Sequence, residues 1–192
     1  MTFLTDFADQ AVVLPLIVAV ALMLGLLGWW RGAVAWLFAV GLSFTAVLVL
    51  KLVVATCGPA LGLAALRSPS GHAAAAAVIA GGIAVVVGRS RWAAVAIAAF
   101  GALLIGTTRV ALGMHTTPEV TLGGAVGVLG VLGFAWLAGP PPALRLRWLF
   151  AVITAVALLL HGRHLDAETR IRAAAFGLSV CAASGTADQV RP

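Results

Sequence analysis

With 192 residues, of which 62% are hydrophobic and only 9% charged, the chain carries more apolar side chain than a soluble core of this size can cover. Mean hydropathy is +1.13. The net charge of +6 comes from twelve Lys and Arg scattered between apolar runs; they form no basic stripe interleaved with aromatics, which argues against a nucleic-acid partner.

A helix needs about 20 apolar residues to cross a bilayer. In chain order, the expected spans cover residues 11–27, 33–54, 73–87, 92–106, 120–138 and 146–160, the third, fourth and sixth being short. No Lys or Arg precedes the first apolar run, so it reads as a retained span rather than a cleaved secretory signal. Residues 173–184 form a weaker apolar patch, too short to span. The expected fold is an all-α, polytopic transmembrane helical bundle of about six spans, forming a single membrane domain. Gly124, Gly127, Gly130 and Gly133 recur every three residues in the fifth span, a spacing that lets helix backbones approach closely. Cys57 and Cys181 lie far apart and read as small apolar fillers.

The connections divide by charge. Arg31, Arg89, Arg91, Arg145 and Arg147 all fall on one side of a six-span bundle. Cytoplasmic loops carry the excess of Lys and Arg, which makes that side cytoplasmic. The N-terminus, with Asp6 and Asp9, and the two long connections at 55–72 and 107–119 then face outward. The tail with Arg163, Arg170 and Arg172 is also placed outside, against the charge rule, which makes the sixth span the weakest assignment.

Ionisable groups at membrane depth are costly and usually functional. Glu119 is the one acidic residue between positions 10 and 165. Lys51, Arg67, His72, Arg109, His115 and Glu119 all lie in or beside the two outward connections, where three cations, two histidines and one carboxylate suit an anion. Pro69, Ser70, Gly71 and His72 immediately precede the third span, and a helix N-terminus offers free N–H groups to phosphate. Thr117, Pro118 and Glu119 read as cap, first-turn proline and first-turn carboxylate of the fifth span. Glu119 follows His115 by four residues, close enough to bond one imidazole nitrogen and leave the other free to attack. Each residue also has a plainer reading: snorkelling for Lys51 and Arg109, a headgroup contact for Arg67, capping for Glu119, and ordinary polar or interfacial histidines for His72 and His115. His161 and His164 read as structural or interfacial.

These residues, in this order, resemble the type-2 phosphatidic acid phosphatase superfamily, which shares its site with vanadium haloperoxidases. The family motifs are Lys-x6-Arg-Pro, Pro-Ser-Gly-His and Ser-Arg-x5-His-x3-Asp. Here Lys51 is followed, after six intervening residues, by Gly58 and Pro59. Then come Pro69, Ser70, Gly71 and His72, and after two spans Thr108, Arg109, His115 and Glu119. The resemblance covers about residues 40–135. Thr108 keeps the hydroxyl of the family serine, Glu119 keeps a carboxylate on a longer arm, and Gly58 lacks the family guanidinium.

The resemblance implies hydrolysis of a lipid phosphate or diphosphate without a cofactor or metal ion. His115 is then the nucleophile, Glu119 its orienting carboxylate and His72 the general acid. Lys51, Ser70, Gly71 and Arg109 hold the phosphoryl oxygens, and Arg67 is the expected substitute for the arginine missing at position 58. Two alternatives share these residues: a lipid phosphotransferase, and a non-catalytic lipid-binding or transport protein.

Overall fold

The computed structural model describes residues 2–58, 61–63 and 66–165, together with 169, 171 and 173. Arg170, Arg172, Cys181 and all but the first residue of the 173–184 patch lie outside these. The described residues form seven helices and no strand: α1 (Thr2–Asp6), α2 (Gln10–Leu26), α3 (Trp30–Cys57), α4 (Gly71–Val86), α5 (Arg91–Ala111), α6 (Thr117–Ala138) and α7 (Leu146–Leu160). The fold is an all-α bundle. Of these helices, α3, α5 and α6 are long and apolar enough to cross a membrane, while α2, α4 and α7 are apolar helices of 15–17 residues. The short helix α1 has no counterpart among the expected elements.

Helix α4 is central and packs against α3, α5 and α6. Its alanines and glycines bring backbones together: a side chain at Gly127 would meet the Ala74 carbonyl, and one at Gly101 the Ala76 carbonyl. Gly124 and Gly130 also face neighbouring helices, whereas Gly133 borders open space, so the three-residue glycine repeat packs over only part of its length. The largest fully buried side chain, Trp36, donates its indole N–H to the Ile17 carbonyl at 3.0 Å and meets the Phe134 ring edge-on. That one residue ties α3 to α2 and α6. The outer surface carries exposed Leu22, Phe38, Leu42, Phe100, Leu103, Leu129 and Trp136, a coat suited to lipid.

Two helix ends differ from expectation in ways that matter for the site. Helix α5 runs past Gly106 and stops only where Gly113 adopts a left-handed φ of 67°, a conformation that favours glycine just beyond a helix. Arg109 therefore stands on the last turn of α5 rather than in a loop. Helix α3 likewise continues to Cys57, placing Lys51 on its inner end.

The loop arginines gather at the opposite end of the bundle. The Arg31 guanidinium donates to the Leu137 carbonyl at 2.8 Å, satisfying the end of α6. Pro141, in the α6–α7 connection, lies beside Gly88 in the α4–α5 turn. The chain after α7 returns to the other end, where His161 contacts the Phe3 carbonyl at 3.1 Å and packs against the rings of Phe3 and Phe7. Arg163 thus sits at the end opposite the loop arginines. Cys57 is disulfide-bonded, which corrects its reading as a free apolar filler.

Candidate active site

Four chain segments converge at the inner end of α3: the α3–α4 connection, the start of α4, the end of α5 and the α5–α6 turn. Their junction is Glu119, whose side chain is 2% exposed. Oε1 accepts the backbone N–H groups of Arg67 at 2.7 Å and Ser68 at 3.0 Å. Oε2 accepts the Thr116 N–H at 2.9 Å and lies 3.0 Å from His115 Nδ1. The cap of α6 is Thr116, one residue earlier than expected, and Glu119 is its third helical residue. The carboxylate closes the helix start, anchors the incoming connection and holds the histidine. A buried carboxylate is tolerable because both oxygens are fully bonded.

The Glu119 main chain adds a fifth tie, its carbonyl accepting the Ser70 N–H at 2.9 Å. Gly123 lies directly against the Ser70 carbonyl and leaves no room for a side chain. The start of α4 is thereby pinned to α6. Ser70 is fully buried and caps α4, its hydroxyl accepting the Ala73 N–H at 3.4 Å while keeping its own proton to donate. At Gly71 an added Cβ would meet only the Lys51 side chain, at 3.9 Å, so this backbone is open to a ligand on the lysine side.

Lys51 is 6% exposed and donates to the Ser68 hydroxyl at 2.8 Å. The charged groups acting on the His115 imidazole are Lys51, Glu119 and Arg109. His115 lies in the turn between α5 and α6. Its pKa is lowered from the ordinary histidine value, first by burial and then by Lys51 and Arg109, while the Glu119 hydrogen bond and charge oppose the change. A carboxylate can only accept, so the shared proton sits on Nδ1 and the Nε2 lone pair is left available.

The remaining residues are placed as follows. Arg67 is exposed, and its backbone N–H donates to Glu119. Thr108 is buried and its hydroxyl donates to the Ile105 carbonyl at 2.7 Å, with Thr5 at 3.5 Å, so it faces α1. Gly58 lies against the Val54 carbonyl, and any side chain there requires the last turn of α3 to shift. Ser68 and Asp9 were not singled out in the sequence. Asp9 caps α2, and its Oδ2 lies 3.9 Å from His72 Nε2. The only hint was an acidic residue just before an outward-starting span.

No curated protein and no solved structure matches the chain. A family model described as the PAP2 superfamily matches residues 32–141, more than half of the chain and wider than the stretch of about 40–135 that carries the motifs. With its motif residues gathered around one buried carboxylate, the chain belongs to the PAP2 superfamily, whose members are phosphatases acting on phosphate esters.

Proposed function

We propose that this protein hydrolyses a lipid phosphate or diphosphate through a phosphohistidine on His115, with no metal ion in the step. The observation that carries the reading is the His115–Glu119 hydrogen bond of 3.0 Å, with Lys51 and Arg109 acting on the same imidazole. Nε2 attacks phosphorus as the P–O bond to the leaving group breaks, and His72 supplies the proton that the leaving oxygen takes. Lys51, Arg109, the Ser70 hydroxyl and the Gly71 N–H meet the charge on the phosphoryl oxygens. Water then displaces His115 and releases phosphate.

A lipid substrate is supported by an apolar cavity of about 560 Å³ between α5 and α6. It runs from Ala111 and Thr117, beside the His115 turn, down to Ala99 and Val128. An acyl or isoprenoid chain lying there leaves the headgroup at the site. The deciding experiment measures phosphate release by purified protein from a panel of lipid phosphates and diphosphates, with chain length varied, in EDTA. Free phosphate as product, falling as the chain is shortened, is expected; transfer to a second lipid, or no turnover on any member, sinks the hydrolase reading.

The active site is proposed to face outside the cytoplasm. The loop arginines lie at the other end, and the disulfide at Cys57 suits an oxidising compartment. Leu61, 57% exposed beside the site, is the probe position. With both native cysteines replaced by serine, Leu61→Cys should react with an impermeant thiol reagent on intact cells. Labelling seen only after lysis reverses the orientation.

Arg67 is proposed to supply the guanidinium that position 58 lacks. Its main-chain bond to Glu119 fixes the loop, and its exposed side chain has the reach to meet a bound phosphate. Arg67→Ala keeps that main-chain tether, so only the side chain is tested. A hydrogen bond to a charged group contributes about 1.5–3 kcal/mol, so kcat/KM should fall about ten- to a hundredfold. Arg67→Lys should restore part of it, because a point charge replaces a planar fork. Wild-type kinetics in Arg67→Ala rule the role out.

A further inference from the structure

A general acid must carry a proton when the leaving oxygen departs, yet His72 stands among cations. Lys51 on α3 and Arg109 on α5 both act on it, as does His115 in the α5–α6 turn. Burial first, and then Arg109, His115 and Lys51, favour the neutral imidazole, which cannot protonate an alkoxide. The carboxylate within the site does not help, because Glu119 already accepts four donors and serves His115.

The carboxylate that does face His72 comes from the other side of the bundle. Asp9, whose side chain is 10% exposed, sits at the N-cap of α2. Its Oδ1 is fixed by the N–H groups of Ala11 at 2.8 Å and Leu165 at 3.2 Å. This leaves Oδ2 turned toward His72 Nε2 at 3.9 Å, with the exposed His164 on its other flank at 3.6 Å and Asp6 beyond that ring. Capping α2 alone requires one oxygen; the second lies between the rings of His164 and His72, at 3.6 and 3.9 Å.

We propose that Asp9 is a positioning residue of the reaction, whose carboxylate orients His72 and favours the cationic state in which it hands its proton to the departing oxygen. In that step the His115 Nε2–P bond forms, the P–O bond to the alcohol breaks, and the proton passes from His72 to the alcohol oxygen. In the second step water adds to phosphorus, the P–N bond breaks and His72 recovers a proton from that water. Asp9 makes no bond to substrate; it acts through His72. The inference rests on the assignment of His72 as general acid.

Leaving-group dependence separates this role from a structural one. A nitrophenyl phosphate departs as a stable phenolate and needs no proton, whereas an alkyl phosphate departs as a strong base and does. Asp9→Asn keeps an oxygen for the α2 cap, and Asp9→Ser keeps a capping hydroxyl without charge. General acid catalysis contributes about 10²–10⁴-fold, and its partial loss in either variant should lower kcat/KM on a dialkylglycerol phosphate by about ten- to a hundredfold. The kcat/KM of the nitrophenyl ester with the same full-length protein, which reports only steps up to departure of the leaving group, should stay within about twofold. In a His72→Ala background, adding Asp9→Asn should change neither rate. Equal slowing of both substrates, or further slowing of His72→Ala, overturns the role of Asp9. If His72→Ala itself slows both substrates alike, the general-acid assignment fails and takes the inference with it; selective slowing by His72→Ala but not by Asp9→Asn removes Asp9 alone.

Discussion

His115→Ala is expected to abolish turnover, by at least about 10⁴-fold, while leaving the bundle intact. The imidazole supplies the attacking lone pair, and among the described residues no other side-chain nucleophile is held against Glu119. The side chain is 8% exposed at the end of a turn, so its removal leaves a small gap rather than a core cavity. In the wild type, a brief reaction with ³²P-labelled substrate followed by alkaline quench should trap label that acid releases, as a phosphoramidate requires. His115→Ala should trap none. EDTA should not slow the wild type, and vanadate, which adopts the five-coordinate geometry of phosphoryl transfer, should inhibit it. Dependence on added Mg²⁺, or trapped label in the variant, refutes the mechanism.

The same residue sets a pH profile. Burial, with Lys51 and Arg109, holds the His115 pKa below the ordinary histidine value. Nε2 therefore stays unprotonated at pH values where a free histidine is already half charged. The acid limb of kcat/KM should lie below the usual histidine range, with activity lost as pH falls through the depressed value.

Much of this was legible in the sequence because the bilayer imposes a simple rule: each crossing needs a long apolar run, and the six runs fall on three helices of spanning length and three shorter apolar helices. Ends were less legible. Gly106 looked like a stop for α5, yet it packs against Val120, and the chain turns only at Gly113, where φ is positive. The His115–Glu119 contact was legible because residues four apart across a turn into a helix come together. The other half of the Glu119 site was not. Its donors are the backbone N–H groups of Arg67 and Ser68, and a main-chain donor leaves no mark in residue identity. Asp9 escaped for a different reason: it reaches His72 through the packing of α2 on the bundle, which no local spacing encodes. Gly58 was visible as a departure from the family motif, but only the fold shows that the Val54 carbonyl leaves no space there for an arginine.

Glu119→Gln should be nearly as damaging as loss of the nucleophile, for a reason set by counting donors. The carboxylate receives four: two N–H groups on Oε1, and one N–H with His115 Nδ1 on Oε2. An amide of the same shape offers one oxygen and one NH₂. If its oxygen keeps Arg67 and Ser68, its NH₂ faces Thr116 N–H and His115. The imidazole must then accept at Nδ1 and carry its proton on Nε2, which is the wrong tautomer for attack. If the amide flips to keep His115, two buried backbone donors face an NH₂, at about 1–3 kcal/mol each. The first arrangement preserves the fold better and is the one expected. An orienting carboxylate changed to amide in a comparable triad lowers kcat by about 10⁴, and an effect within tenfold of that is expected here, with KM little changed. Glu119→Asp keeps the charge and all four lone-pair sites but shortens the arm by one methylene, so it should recover part of the rate. Thermal unfolding of both variants must be measured beside the kinetics. A Glu119→Gln protein that melts early yet turns over normally when folded would leave Glu119 as a cap and a tether, and would remove it from the chemistry.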